Sequence, residues 1–143
     1  MPAIQFFEED ITFKLKNKTQ VRQWIGNTIV AEGFKLKELN YIFCSDAYLL
    51  QINQQYLDHD TYTDIVTFDN AEDKGIIIGD IFISIERIRE NAAKFSVSES
   101  DELHRVIIHG ALHLLGYKDK MPADKKKMTQ KEDLYLNMRG FIK

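Results

Sequence analysis

Cysteine is nearly absent. Cys44 is the only one in 143 residues, which excludes an internal disulfide framework and every all-cysteine metal site. Its setting, Tyr41-Ile42-Phe43-Cys44, reads as a buried strand, so a packed, inert thiol is expected. Proline and glycine are scarce as well, at two and seven residues, which argues against a collagen-like, linker-dominated or disordered chain. No apolar run approaches the ~18 residues of a membrane span, and the start Met1-Pro2-Ala3-Ile4 lacks the basic and apolar regions of a signal peptide. A cytoplasmic location with no membrane partner is the expectation. An excess of positive charge is also missing. A formal net charge of −3 argues against coating nucleic acid by bulk electrostatics, so any nucleic-acid role has to be local. Local basic clusters do exist, at Lys14, Lys16, Lys18 and Arg22, at Lys118 and Lys120, and at Lys125-Lys126-Lys127; each also reads as an ordinary solvated face.

What remains is a chain that is nearly half apolar and of a size that buries roughly two-thirds of its unfolded surface in one core. No repeat or low-complexity tract divides it, so residues 1–143 read as one domain. Ile4–Phe7 and Ile11–Leu15 read as strands, the second by its alternation of apolar and polar residues. A helix capped by Asn17 or Thr19 carries Val21, Trp24, Ile25, Thr28 and Ile29 and ends at Gly33. Leu39–Cys44 reads as a strand and is followed by a helix capped by Ser45 or Asp46. Residues 57–61 read as a loop. Asp64–Phe68 and Ile76–Ile85, joined through Asp69–Lys74, read as paired strands; the short link has no room for a crossover helix and makes the pair antiparallel. Glu86–Phe95 is a predicted helix. Another, capped by Ser98 or Ser100, stops at Gly116, and Pro122 opens the last, toward Asn137. The fold class expected is α+β, with a mixed sheet containing one antiparallel pair, packed against several helices.

The segment His109-Gly110-Ala111-Leu112-His113-Leu114-Leu115-Gly116-Tyr117-Lys118-Asp119 carries most of the chemistry. Residues four apart on a helix lie on one face about 6 Å apart along the axis, so both imidazoles can reach one ion. Gly116 can take the positive φ that ends the helix and turns Asp119 back as a third ligand. Three protein ligands leave a position open for water, the pattern of catalytic sites. The competing structural reading is a pair of core histidines among Ile107, Ile108, Leu112 and Leu114. His59 and His104 lack such company, and His104, five residues before His109, points elsewhere on the helix. Zinc peptidases with this histidine spacing place a glutamate base directly after the first histidine, where this chain has Gly110.

The segment resembles the signature of the YbeY family, His-Gly-x-Leu-His-Leu-x-Gly-Tyr-Asp-His, at His109, Gly110, Leu112, His113, Leu114, Gly116 and Tyr117. Asn53 through Tyr56, Thr63-Asp64-Ile65-Val66-Thr67-Phe68 and Gly79-Asp80-Ile81-Phe82-Ile83-Ser84 are similar to further family segments in the same order. The resemblance implies a single-domain, metal-dependent endoribonuclease of ribosomal-RNA maturation. Its metal ligands would be His109, His113 and Asp119, its cofactor one divalent ion, zinc first and others acceptable. Its partners would be RNA and the ribosomal subunit or its proteins, with no DNA expected.

Two positions depart from the family pattern. Asp119 stands where a third histidine is usual, with Lys118 in place of the preceding Asp; a carboxylate lowers the net charge of the site and suits harder ions better. Leu57 stands where the family usually has an arginine implicated in RNA cleavage, and leucine can neither hold phosphate nor stabilise developing charge. Lys118 and Lys120 could supply that charge, and Thr63 could wall the cleft beside Asp64, although a loop-to-strand cap explains Thr63 equally well. Asp80, after Gly79, marks a strand start or a bulge. No residue stands out as general base. Two rivals stay open: a zinc peptidase with a displaced base, against which Gly110 weighs, and a non-catalytic ribosome-assembly factor, which Leu57 favours.

Overall fold

The structure is a computed structural model, and it describes residues 3–57 and 63–141. His59 and most of the 57–61 loop expectation lie outside the described residues. The elements run β1 (Ile4–Glu9), α1 (Lys18–Ala31), β2 (Lys35–Cys44), α2 (Asp46–Leu57), β3 (Ile65–Asp69), β4 (Ile76–Ser84), α3 (Ile85–Phe95), α4 (Glu99–Leu114) and α5 (Pro122–Leu136). The four strands form one sheet in the order β1-β2-β4-β3. β1 and β2, joined through α1, run parallel, and so do β2 and β4. β3 and β4 are antiparallel, with Val66 opposite Phe82. This is the α+β fold with a mixed sheet and a single antiparallel pair that the short 69–74 link implies.

Alternation along the strands separates two apolar layers. Leu39, Tyr41 and Phe43 of β2 and Ile77, Ile81 and Ile83 of β4 face the larger core, shared with α1, α3 and α4. On the opposite face Cys44 and Val66 pack with Leu49 of α2, flanked by Tyr48, Ile52, Phe68 and Phe82. Cys44 is buried and its thiol is pushed up to about 12, first by that burial and then by nearby carboxylates, so it is the inert thiol expected. α4 crosses the middle of the larger core. Leu103, Val106, Ile107, Ile108, Ala111, Leu112 and Leu114 are all buried, and the Ile107 carbonyl accepts a hydrogen bond from the Tyr41 hydroxyl at 2.9 Å.

Local signals set most element ends. Ser45 caps α2 by accepting the Tyr48 N–H, and Ser84 and Ser98 cap α3 and α4 by accepting the N–H of Arg87 and Asp101. Gly33 and Gly116 adopt φ of +85° and +101° just past α1 and α4. Among the described residues no helix is long and apolar enough to cross a membrane.

Three expectations are corrected. Residues 11–15 form no strand. Asp10, at φ 56°, turns the chain out of β1, and the alternation instead records docking: Phe13 packs edge-on against Phe43 at 5.1 Å and Leu15 is buried. Asn17 stands at the start of α1 in the left-handed region, yet its side chain makes no capping hydrogen bond. Asp80 neither begins a strand nor sits at a bulge; it lies inside β4, accepting hydrogen bonds from the Asn40 and Asn70 amides at 3.0 and 3.2 Å.

Candidate metal centre

His109 and His113 occupy successive turns near the C-terminal end of α4, with ring centroids 4.5 Å apart and planes at 85°. After the helix, Gly116 reverses the chain and returns Asp119 to them. Asp119 Oδ2 lies 3.2 Å from His109 Nε2 and 3.3 Å from His113 Nε2. One ligand atom from each of the three lies within 4.8 Å of the others, an arrangement that could hold a metal ion. All three side chains are partly exposed, so the cluster opens to solvent.

The outer partners decide which ring nitrogens are free. His113 Nδ1 sits 3.0 Å from the Tyr117 carbonyl oxygen, which can only accept, so Nδ1 carries the proton. His109 Nδ1 sits 2.6 Å from Glu132 Oε2, a carboxylate that fixes the same tautomer. Both Nε2 lone pairs are thereby turned on Asp119 Oδ2. An anionic oxygen and two ring nitrogens converge there, an arrangement that favours a cation between them, either a proton on an imidazole or a metal ion. Burial disfavours the charged form of His109, but the hydrogen bond and charge of Glu132, helped by Asp119 and Asp64, outweigh it and raise its pKa.

Glu132 is the site residue that sequence reasoning missed. Its side chain is only 9 % exposed, and its other oxygen accepts from Arg105 Nη1 at 2.8 Å, so the charge is compensated rather than stranded. Arg105 is one turn before His109 on α4 and reaches Asp133 as well. A signal did exist: Met128, Glu132 and Tyr135 share the inward stripe of α5 at helical spacing, and a carboxylate on such a stripe needs a buried partner.

The remaining candidates are less well placed. Lys118 and Lys120 are exposed on either side of Asp119, Lys118 on the rim of a surface pocket with Tyr117 and Lys127. The Thr63 hydroxyl donates to the Ile65 carbonyl at 3.3 Å, the capping role. Asp64 does belong to the neighbourhood: burial raises its pKa, while His109 and Arg87 pull it down. Leu57 is the last residue of α2, 40 % exposed and carrying no charge. His104 points away from the cluster, packed against Trp24 and Phe141. Gly110 sits where an added side chain would crowd its neighbours. A Cβ there would lie 2.9 Å from Ile65 Cδ1 and 3.0 Å from two atoms of Ile81.

Comparison with known proteins gives the chain its family. The family model described as Endoribonuclease YbeY matches residues 3–140. A Cytophaga hutchinsonii protein named Endoribonuclease YbeY is 53% identical over 139 residues, covering 97% of each chain. A Bacteroides thetaiotaomicron protein of the same name is 44% identical across 96% of this chain and 99% of its own. The solution structure of a Thermotoga maritima protein superposes with a TM-score of 0.67 at 27% identity, covering 95% of this chain and 88% of that one. The sequence motifs, the fold around α4 and these relatives agree: the chain belongs to the endoribonuclease YbeY family.

Proposed function

We propose that this protein is a metal-dependent endoribonuclease that cuts single-stranded RNA in ribosomal-RNA maturation, with His109, His113 and Asp119 holding one divalent ion, zinc in the first instance. The observation that carries this reading is the convergence of two imidazole Nε2 atoms on one Asp119 carboxylate oxygen, each within 3.3 Å of it, with both Nδ1 atoms already engaged by other acceptors. Two imidazole nitrogens and one carboxylate form a donor set suited to zinc, and the carboxylate keeps harder ions acceptable. When bound, such an ion supplies Lewis-acid polarisation of a phosphate oxygen or of water.

The chain's own groups do the rest. Glu132 and the Tyr117 carbonyl hold each imidazole in the tautomer that presents Nε2, and Glu132 raises the basicity of His109. Asp119 brings the negative charge that two neutral rings lack. Lys118 and Lys120 stand close enough to Asp119 to attract an RNA backbone locally, in a chain whose overall charge of −3 would not. Ribosomal subunits or their proteins are the natural company of such an enzyme, in the cytoplasm.

The peptidase reading loses support at Gly110, because the position where those enzymes carry a glutamate base holds no side chain and is crowded by Ile65 and Ile81. Cleavage assays with labelled single-stranded RNA and with unstructured peptides test the proposal. RNA cut only while divalent metal is available, with peptides left intact, is the expected result. Peptide cleavage, or RNA cleavage that persists in excess chelator, would overturn it.

A further inference from the structure

Glu32 follows the last residue of α1 and is only 11 % exposed on its side chain. Its carboxylate is the meeting point of three donors. Tyr117 Oη donates to Oε1 at 2.6 Å, Lys131 Nζ to Oε2 at 3.1 Å, and the Tyr135 hydroxyl also to Oε2. Lys131 additionally sits over the Tyr117 ring, 5.6 Å from its centroid. Burial opposes the charge on Glu32, but the three hydrogen bonds prevail and lower its pKa, so the group is an anion at neutral pH.

Stability of α1 alone does not account for an anion here. The C-terminal end of a helix carries partial negative charge, and a cation is what favours it. What the carboxylate does reach is the apparatus behind the metal cluster. Tyr117 is the residue whose carbonyl orients His113, and it precedes Asp119 by two positions. Lys131 and Tyr135 flank Glu132, the support of His109, on α5. One buried carboxylate therefore ties together the turn that positions two of the three cluster residues and the helix that positions the third.

We infer that Glu32 is a positioning residue for the metal centre, acting through the Tyr117 hydroxyl to hold the 115–119 turn so that the Tyr117 carbonyl and Asp119 keep their places against the two imidazoles. The inference rests on the metal reading above and adds to it a residue more than 70 positions away in sequence. Its chemistry is indirect: Glu32 touches neither ion nor substrate. It fixes the tautomer of His113 and the approach of Asp119 by removing the freedom of the turn between them.

Zinc affinity measured by competition with a chromogenic chelator, alongside melting of the metal-free proteins, tests this. Tyr117→Phe removes only the hydroxyl and should weaken zinc binding about tenfold, the lower end of what supporting groups contribute. Glu32→Ala should do the same, the double variant little more, and Glu32→Gln, which keeps an acceptor for Tyr117, should recover part of the loss. Tyr135→Phe cuts the same carboxylate on its other side, where Lys131 still reaches Glu32 and Arg105 still holds Glu132; it should lower the melting midpoint while leaving zinc affinity within about twofold of the parent. Parent-like affinity in Tyr117→Phe, or equal losses in Tyr117→Phe and Tyr135→Phe, would overturn the inference, and both variants remain informative if Glu32→Ala fails to fold. A parent that binds no zinc would sink the metal reading and this inference together, whereas a zinc-binding parent with unaffected variants would sink only the inference.

Discussion

His104 and His109 lie five residues apart on α4 in opposite electrostatic surroundings. Around His109 two carboxylates stabilise a proton. Around His104 the reverse holds: burial among Trp24 and Phe141, and then the Arg139 guanidinium donating to Nδ1 at 2.8 Å, push the pKa down to about 4. The ring is neutral in the folded and unfolded states above its ordinary value of 6.5. As pH falls below that value the unfolded chain takes up a proton that the folded chain refuses until about pH 4. This group therefore removes stability as the solution is acidified through that window, by about 3 kcal/mol in all. Urea unfolding of the parent and His104→Gln, whose amide can still accept from Arg139, should show a shallower pH dependence in the variant between pH 6.5 and 4. Equal slopes would remove His104 from the acid sensitivity. The Glu32 carboxylate acts in the same direction, since a lowered carboxyl pKa contributes stability that disappears as pH falls through it.

At the scale of elements, two glycines set how closely α4 approaches the sheet. At Gly79 of β4 an added Cβ would stand 2.7 Å from the Phe68 carbonyl oxygen and 2.9 Å from Leu114 Cδ1. The first is backbone of the paired strand and cannot yield without disturbing the β3–β4 ladder. At Gly110 the obstacles are side-chain atoms, Cδ1 of Ile65 and Cδ1 and Cγ2 of Ile81, which yield more readily than paired backbone, and alanine regains roughly 1 kcal/mol of helix propensity. Gly79→Ala should cost about 1–3 kcal/mol in chemical denaturation and Gly110→Ala clearly less; the opposite order would contradict the packing described.

The helices and the β3–β4 hairpin are legible because their signals are local: caps at Ser45 and Ser98, positive-φ glycines at 33 and 116, apolar residues at helical spacing. The parallel pairing of β2 with both β1 and β4 is not legible, because no local signal specifies which distant strand is the neighbour. Residues 11–15 mislead for a related reason: alternation records which side chains turn inward, and Phe13 is partly buried and Leu15 buried without strand pairing. The same division runs through the metal cluster. His109, His113 and Asp119 fall within eleven residues and could be read together, whereas Glu132 and Glu32 come from separate helices and only the tertiary fold brings them behind the imidazoles.

Over the whole molecule, the His109, His113 and Asp119 cluster sits where α4, the 115–119 turn, α5 and the end of α1 meet, away from the sheet face covered by α2. The sheet and α4 form one side of it, and hydrogen bonds from Glu132 of α5 and from Glu32 just past α1 hold His109 and the 115–119 turn on the other. The account stands on the claim that this meeting point is built around one metal ion. Its most direct test is metal content per chain in the purified protein, measured beside His113→Ala and Asp119→Ala at matched folding. Near-stoichiometric metal in the parent, severe loss in His113→Ala and clear loss in Asp119→Ala is the result expected. A parent without metal after purification and zinc reloading would contradict the account, and full occupancy in Asp119→Ala would contradict the place given to Asp119.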